Sequence, residues 1–314
     1  MAATVTSAAA SVTPVPGAWR GDYYNNKNLE NPIVMAREDF ISPINNIYLI
    51  FNWGTGSPGS PVNSDNFSVN WRYNGNFSGA NYLFYAFSDD GVRVFVDGTT
   101  VINQWTNATN NVLYGNITLS GGQHQVQTQY FEDKGDARIA VGWQLTQSNA
   151  WIGEYYANNN LGQPPVYINQ DNTIDFNWQQ GSPSALPSDN FSIRWFRNYN
   201  FGSSAMYRFR VNVDDGVRVK VGNTTIIDEW HTVSSPQTYQ ADIQLSGTQK
   251  VTVEYFEGTG NAQIQLAINP VVITTATATA TATPTTTTTA TATSTATTTA
   301  TSTATSTATN TPVP

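Results

Sequence analysis

The sequence of 314 residues contains no cysteine, which excludes disulfides, thiolate zinc sites and cysteine nucleophiles together. Charged residues make up only 11% of the chain, against about 25% in an ordinary soluble domain. The net charge of −8 leaves no basic surface for nucleic acid or for an anionic membrane. No apolar run is long enough to cross a bilayer, so we also expect no membrane insertion.

Aromatic residues are abundant, with 9 Trp, 15 Tyr and 14 Phe beside 23 Gly. Few charges combined with many aromatic residues favour a β-rich exported protein. Residues 1–16 lack the basic and continuously apolar regions of a signal peptide. We therefore expect an extracellular or cell-surface protein whose export signal is not in this chain.

The chain contains an internal repeat, in which one sequence unit occurs twice. The segment Tyr82–Trp105 aligns without gaps on Tyr207–Trp230, and 13 of the 24 positions are identical. The match extends to both sides, where Phe51-Asn52-Trp53 corresponds to Phe176-Asn177-Trp178. Each unit has about the length of one domain, so the pattern indicates a tandem duplication.

Within each unit, apolar residues recur at every second position, which predicts β-strands. In 138–145 the apolar residues are Ile139, Val141, Trp143 and Leu145. Asp97-Gly98 is typical of a hairpin turn, and no amphipathic helix is evident. The fold class predicted is all-β, with two antiparallel sandwiches or barrels.

Composition predicts four segments: a disordered leader at 1–16, domains at 17–147 and 148–270, and a low-complexity tail at 271–314. Of the 41 residues 274–314, 23 are threonine, with no charge or aromatic ring. Such a segment cannot bury a core, so we predict disorder. It is either an O-glycosylated stalk or an unmodified linker.

Four motifs occur in order in both units and resemble the PA14 family. They are Trp-x-x-x-Tyr-Tyr, Asn-Phe-Ser-x-x-Trp, Asp-Asp-Gly-Val-Arg-Val and Tyr-Phe-Glu. The resemblance implies a β-sandwich or barrel of the kind found in bacterial toxins, glycosidases and adhesins. In yeast adhesin members, an Asp-Asp pair joined by a cis peptide chelates calcium, and the calcium binds a sugar.

Two vicinal carboxylate pairs occupy equivalent positions, Asp89-Asp90 and Asp214-Asp215. Neighbouring strand residues point to opposite faces, so a shared ion requires a distorted backbone. Calcium accepts six to eight oxygen ligands in irregular geometry, and the pairs are predicted to hold Ca²⁺. The alternative is an acidic turn, in which one Asp accepts backbone N–H groups and the other pairs with Arg93 or Arg218.

Further ligands are sought in the closing loop of each unit. Asp136 and Asn261 align and both offer a side-chain oxygen, although an ordinary turn at a hairpin tip is the favoured alternative. Trp105 and Trp230 end the shared block and are candidates for stacking on a sugar, with core packing as the alternative. On charge, the acidic loop of the first unit predicts tighter calcium binding there than in the second.

Catalysis is not expected. His124 aligns with Gln249 and His231 with Thr106, so neither histidine belongs to a shared site and a triad lacks its base. Vicinal Asp residues cannot straddle a sugar ring as a glycosidase requires, which leaves Glu132 and Glu257 as the only candidate acids.

The favoured hypothesis is a non-catalytic, calcium-dependent protein that binds glycans or cell-surface polysaccharide through two sites. Two alternatives are open. One is a surface or assembly module whose partners are neighbouring proteins, and the other is a binding appendage of a larger glycosidase.

Overall fold

The computed structural model describes residues 17–41, 43–162 and 164–272, and these residues are all-β, as predicted, with no helix. The predicted leader at 1–16 and residues 273–314 of the predicted tail lie outside the described residues. Ten strands form the first domain: β1 Trp19–Tyr24, β2 Met35–Asp39, β3 Ile47–Gly54, β4 Phe67–Phe77, β5 Ala80–Asp89, β6 Gly91–Val96, β7 Thr99–Gln104, β8 Thr109–Leu119, β9 Gly122–Glu132 and β10 Ala137–Leu145.

Ten strands in the same order form the second domain. They are β11 Trp151–Tyr156, β12 Tyr167–Asp171, β13 Asp175–Gln179, β14 Phe191–Asn200, β15 Ala205–Asp214, β16 Gly216–Val221, β17 Thr224–Glu229, β18 Gln237–Leu245, β19 Thr248–Glu257 and β20 Ala262–Pro270. No helix in the described part of the chain is long and apolar enough to cross a membrane.

Each domain is a sandwich of a six-stranded and a four-stranded antiparallel sheet. The sheet orders in the first domain are β2-β1-β4-β9-β6-β7 and β3-β10-β5-β8. The second domain repeats both orders, as β12-β11-β14-β19-β16-β17 and β13-β20-β15-β18. Strands β6 and β7 are joined by the predicted turn, in which Asp97 and Gly98 both have positive φ, as a two-residue hairpin of this type requires.

The core of each sandwich is rich in aromatic rings. Trp19, Trp71 and Tyr130 are fully buried in the first domain, and Trp195 and Tyr255 in the second. Strand β9 shows the period of two, because Val126, Thr128 and Tyr130 are all buried.

A buried aspartate joins the two aromatic motifs of each domain. Asp39 accepts hydrogen bonds from the Tyr23 hydroxyl at 2.7 Å and the Trp71 indole nitrogen at 2.9 Å. Asp171 does the same with Tyr155 and Trp195. Burial of a carboxylate is costly unless it is hydrogen-bonded, so these repeated residues fix the pairing of β1 with β2 and of β11 with β12.

The four-stranded sheet of the first domain packs its outer face on the second domain. Tyr85, Phe87 and Ala140 form one buried cluster with Ile168 of the second domain. The Tyr114 hydroxyl donates to Glu154 across this junction at 2.8 Å. The alternation in 138–145 therefore does not mark a solvent-facing side, because Ala140 is buried on the face opposite Ile139.

Candidate functional site

The two Asp-Asp pairs lie at equivalent ends of the two sandwiches. Asp89 is the last residue of β5 and Asp90 precedes β6, and in the same way Asp214 ends β15 and Asp215 precedes β16. The peptide bond within each pair is cis. All four residues are less than 9% exposed.

The second aspartate of each pair organises the closing loop. Asp90 accepts the backbone N–H of Asp133 at 2.8 Å. Asp215 accepts the N–H groups of Val233 at 2.7 Å and Gly258 at 2.9 Å. These bonds confirm one half of the acidic-turn alternative, in which an Asp accepts backbone N–H groups. Each carboxylate oxygen still has a free lone pair that could bind a cation.

The other half of that alternative is wrong, because Arg93 and Arg218 do not pair with the aspartates. Their guanidinium carbons lie over the Trp105 and Trp230 rings, at 3.9 and 4.0 Å from the centroids. Arg218 also contacts the carboxylate of Glu254 at 2.9 Å. An Arg over an indole face is a favourable cation–π contact.

Both tryptophans are half-buried. Each packs against the phenylalanine of the Tyr-Phe-Glu motif in its own domain, Phe131 or Phe256, with 4.8 Å between the ring centroids. One face of each indole is thus covered by an arginine. Phe131 and Phe256 in turn lie against the glycine that follows each Asp pair. A Cβ on Gly91 or Gly216 would be 2.1 Å from the nearest carbon of that phenylalanine ring. Only glycine fits at these two positions.

A third carboxyl lies under each pair. Glu132 and Glu257 are fully buried, and each accepts a hydrogen bond from a tyrosine hydroxyl, at 3.0 Å from Tyr130 and 3.3 Å from Tyr255. Their Oε1 atoms are buried without a hydrogen-bond partner. Burial, reinforced by the nearby aspartates, raises the pKa of both to about 8.

The pKa of the first aspartate in each pair is also raised by the neighbouring negative charge. Burial and the adjacent carboxylate raise the pKa of Asp89 and of Asp214 above the ordinary value. In the first domain the guanidinium of Arg138, 3.8 Å from Asp89, opposes the rise. A site that penalises its own ionised carboxylates is one that a cation would stabilise.

The two domains differ at the residue opposite the first aspartate. Strand pairing sets Arg138 opposite Asp89 and Gln263 opposite Asp214. Arg138 also binds Asp136 at 3.2 Å, and Lys27 binds Asp133 at 2.7 Å. The extra acidic residues of the first loop are therefore paired with cations, and the order of calcium affinity predicted from charge stays a prediction.

The predicted third ligands are both at the surface. The Asp136 side chain is 52% exposed and engaged by Arg138, and Asn261 is exposed. Asn261 lines a groove of about 370 Å³ with Asn177, Gln179, Gln180, Pro236 and Gln263. This Asn261 groove adjoins Asp214, whose pairing partner is Gln263.

The donor chemistry suits calcium, whereas the count of acidic ligands is low. Carboxylate and amide oxygens are the hard donors that Ca²⁺ prefers, and the unpartnered Oε1 atoms of Glu132 and Glu257 are buried polar groups that need a partner. Within the residues that the structure describes, no group of three or more His, Asp or Glu side chains is arranged to hold a metal. Loop carbonyls and water would have to complete the ligand set.

The family comparison gives a match over both domains. The model of the PA14 domain matches residues 14–150 and again 147–282. The chain belongs to the PA14 domain family. The resemblance read from the four motifs is thereby confirmed for the fold.

Among curated proteins, this PA14 tandem is similar to the anti-sigma-I factor RsgI3 of Acetivibrio thermocellus, with 27% identity over 268 residues. The aligned region is 75% of this chain and only 39% of that relative. An anti-sigma factor domain-containing protein from Clostridium clariflavum is a similar solved structure, with 27% identity, a TM-score of 0.36, and coverage of 81% of this chain and 94% of that one. A PA14 sugar-binding domain from an RTX adhesin is 19% identical, with a TM-score of 0.34 and coverage of 38% and 89%.

Two features of the site were not found from the sequence. The role of Arg138 depends on strand register, and the only signal was its replacement by Gln263 in the second unit. Asp65 and Asp189, which accept the N–H groups of Gly135 and Gly260, belong to a matching Ser-Asp-Asn-Phe-Ser segment that could have identified them.

Proposed function

We propose that the PA14 tandem is a non-catalytic carbohydrate-binding protein at the cell surface or outside the cell, with one calcium-assisted glycan site in each domain. The observation that carries the proposal is the duplicated site itself: a vicinal Asp pair above a buried glutamic acid with an unpartnered oxygen, at the same place in both domains. Bound calcium would supply positive charge to these carboxylates and bind sugar hydroxyls.

The Asn261 groove supports carbohydrate as the ligand of the second domain. Its lining has four side-chain amides besides Asn261 and no charged residue. Amides both donate and accept hydrogen bonds, as neighbouring sugar hydroxyls do. A groove of about 370 Å³ lies within the range of ligand sites, about 300–1,000 Å³.

The arrangement of carboxyl groups supports a binding role rather than hydrolysis. Glu132 and Glu257 are fully buried, and the neighbouring aspartates help to raise the pKa of each. A glycosidase places two carboxyl groups on opposite sides of the scissile bond. We expect no release of reducing sugar from any glycan that the protein binds.

The decisive experiment is retention of the full chain on a glycan array with calcium and with EDTA. Retention should require calcium, weaken at least tenfold in Asp215→Asn, and weaken less in Asp90→Asn. The matched control is Asp242→Asn, which removes a carboxylate that pairs with Arg208 on the surface and should change nothing. If neither Asp variant alters calcium binding measured by calorimetry, the pairs are structural and the assembly-module hypothesis is favoured.

A second candidate function follows from the relative named an anti-sigma-I factor. Its aligned region takes up 75% of this chain, so the tandem could itself take part in binding a sigma factor. Because the chain spans 39% of that relative, the test is whether the purified chain binds a sigma factor of that class directly. Binding in a pull-down would favour this function over a freestanding glycan binder.

A further inference from the structure

A second groove opens at the junction of the two domains, far from the Asp pairs. Its volume is about 470 Å³. Its residues come from the first domain, except for Asn169 on β12. Tyr82 lines it near the start of β5, whereas Asp89 ends that strand, so about 23 Å of extended chain separates this junction groove from the first Asp pair.

Two parallel rings form the aromatic part of the junction groove. Tyr48 stacks on Trp143 with 3.9 Å between ring centroids and 4° between planes. Trp143 is buried and backed by Phe84 at 5.3 Å, while Tyr48 keeps part of its surface exposed. Tyr48 is therefore the ring that a ligand would meet, held in a fixed plane by the tryptophan behind it.

The polar part of the junction groove consists of amides. Asn46, Asn76, Gln147 and Asn169 line it with their side chains at least partly exposed. The side-chain nitrogen of Gln144, which also lines it, is buried without a hydrogen-bond partner. A buried amide donor in that state needs a partner.

No charged residue lines the junction groove. An anionic sugar would find no lysine or arginine to pair with, and a cation would find no carboxylate. A flat aromatic ring flanked by amides matches a sugar ring, whose C–H face packs on the aromatic plane while its hydroxyls exchange hydrogen bonds with the amides.

We propose that the junction groove is a second class of carbohydrate site, which binds neutral glycans without calcium by stacking on Tyr48. It is a site of the tandem and not of a single domain, because Asn169 of the second domain completes it. Within the described residues, the second domain has no equivalent of it. The residues of the second domain that align with Tyr48 and Trp143 are Thr173 and Ile268, which cannot form the stack.

The test uses the full chain in EDTA, so that any calcium site is inactive. Neutral and uronic-acid-containing oligosaccharides are compared on an array, and binding is measured by saturation-transfer NMR at millimolar ligand. We expect signals from neutral glycans only. Tyr48→Thr, which copies the second domain, should weaken binding at least tenfold, and Asn76→Ala, at an exposed position with no packing role, should weaken it several-fold.

Two control variants separate this site from the others. Asn172→Ala, on a groove of the second domain without the stack, and Asp242→Asn, at a surface carboxylate that pairs with Arg208, should both bind as the parent does. The proposal is overturned if no neutral glycan binds in EDTA, if acidic glycans bind better, or if Tyr48→Thr binds unchanged. Loss in either control variant would also overturn it, by placing the binding outside the junction groove.

Discussion

Individual residues at the two Asp pairs have separate tasks although their types repeat. The second aspartate of each pair, Asp90 or Asp215, holds the closing loop because its carboxylate accepts a backbone N–H group of that loop. The first aspartate makes no such bond with its carboxylate, and its pKa is raised by burial and by its neighbour. The second aspartate thus realises one half of the acidic-turn alternative in each domain, and calcium binding by the pair stays a prediction.

The buried glutamic acids give a prediction for the pH dependence of stability in EDTA. Their pKa in the folded state is about 8, well above the ordinary value of about 4.3 for the unfolded chain. The folded state therefore prefers the protonated form, and this stabilisation is complete below the unfolded pKa and is lost as pH rises through about 8. As the pH rises from about 4.3 to about 8, each residue should lower the free energy of unfolding by about 1 kcal/mol per pH unit.

Urea unfolding followed from about pH 5 to about pH 8 measures this effect. The double variant Glu132→Gln/Glu257→Gln should show a much shallower decline than the parent. Glu30→Gln, a neutralisation at an exposed position, is the matched control and should follow the parent curve. Parallel curves for the parent and the double variant would contradict the prediction.

At the scale of strands, register decides which charge faces each site. Strand β10 brings Arg138 opposite Asp89, while β20 brings Gln263 opposite Asp214. The strands are otherwise equivalent, with Ala137 and Ile139 aligned to Ala262 and Ile264, all fully buried. The single difference between Arg138 and Gln263 at this position therefore gives the two sites different electrostatic surroundings.

We predict that Arg138→Gln strengthens calcium binding by the first domain several-fold, because it removes a positive charge 3.8 Å from the Asp89 carboxylate. The converse change, Gln263→Arg, should weaken the second site. Calorimetric titration with calcium measures both, and Arg208→Gln serves as the control because that arginine pairs with Asp242 away from the site. If Arg138→Gln leaves calcium affinity unchanged or lowers it, Arg138 does not compete with calcium.

At the scale of the molecule, the two domains use different faces to meet. The first contributes the outer face of β5, β8 and β10, and the second contributes β11, β12 and β14. On the second domain, the positions equivalent to Tyr85 and Phe87 are Arg210 and Asn212. That face of the second domain is therefore polar where the corresponding face of the first domain forms the junction.

The junction predicts that the domains unfold together. Tyr114 packs edge-on against Phe196 at 5.3 Å and donates to Glu154. Tyr114→Ala should cost about 3 kcal/mol and split a single calorimetric transition into two. Gln240→Ala, a change at the equivalent exposed position of the second domain, should leave one transition. A single, unshifted transition in Tyr114→Ala would show that this contact does not couple the domains.

Much of this molecule is determined by the sequence alone. The repeat at a nearly constant offset, the period of two in the strands and the Asp-Gly turn together predict a duplicated antiparallel sandwich. These are local signals, since side-chain alternation and turn chemistry act over a few residues. The Asp pairs and their glycines were found for the same reason, as short motifs present twice.

Only the tertiary structure decided what surrounds those motifs. Register set Arg138 against Asp89, packing laid Arg93 on Trp105 and not on an aspartate, and burial left Glu132 and Glu257 with unpartnered oxygens. The junction between domains buried Ala140 and formed the groove of Tyr48, Trp143 and Asn169. These features join residues far apart in the chain, and a sequence pattern records what each residue is but not which distant residues it meets.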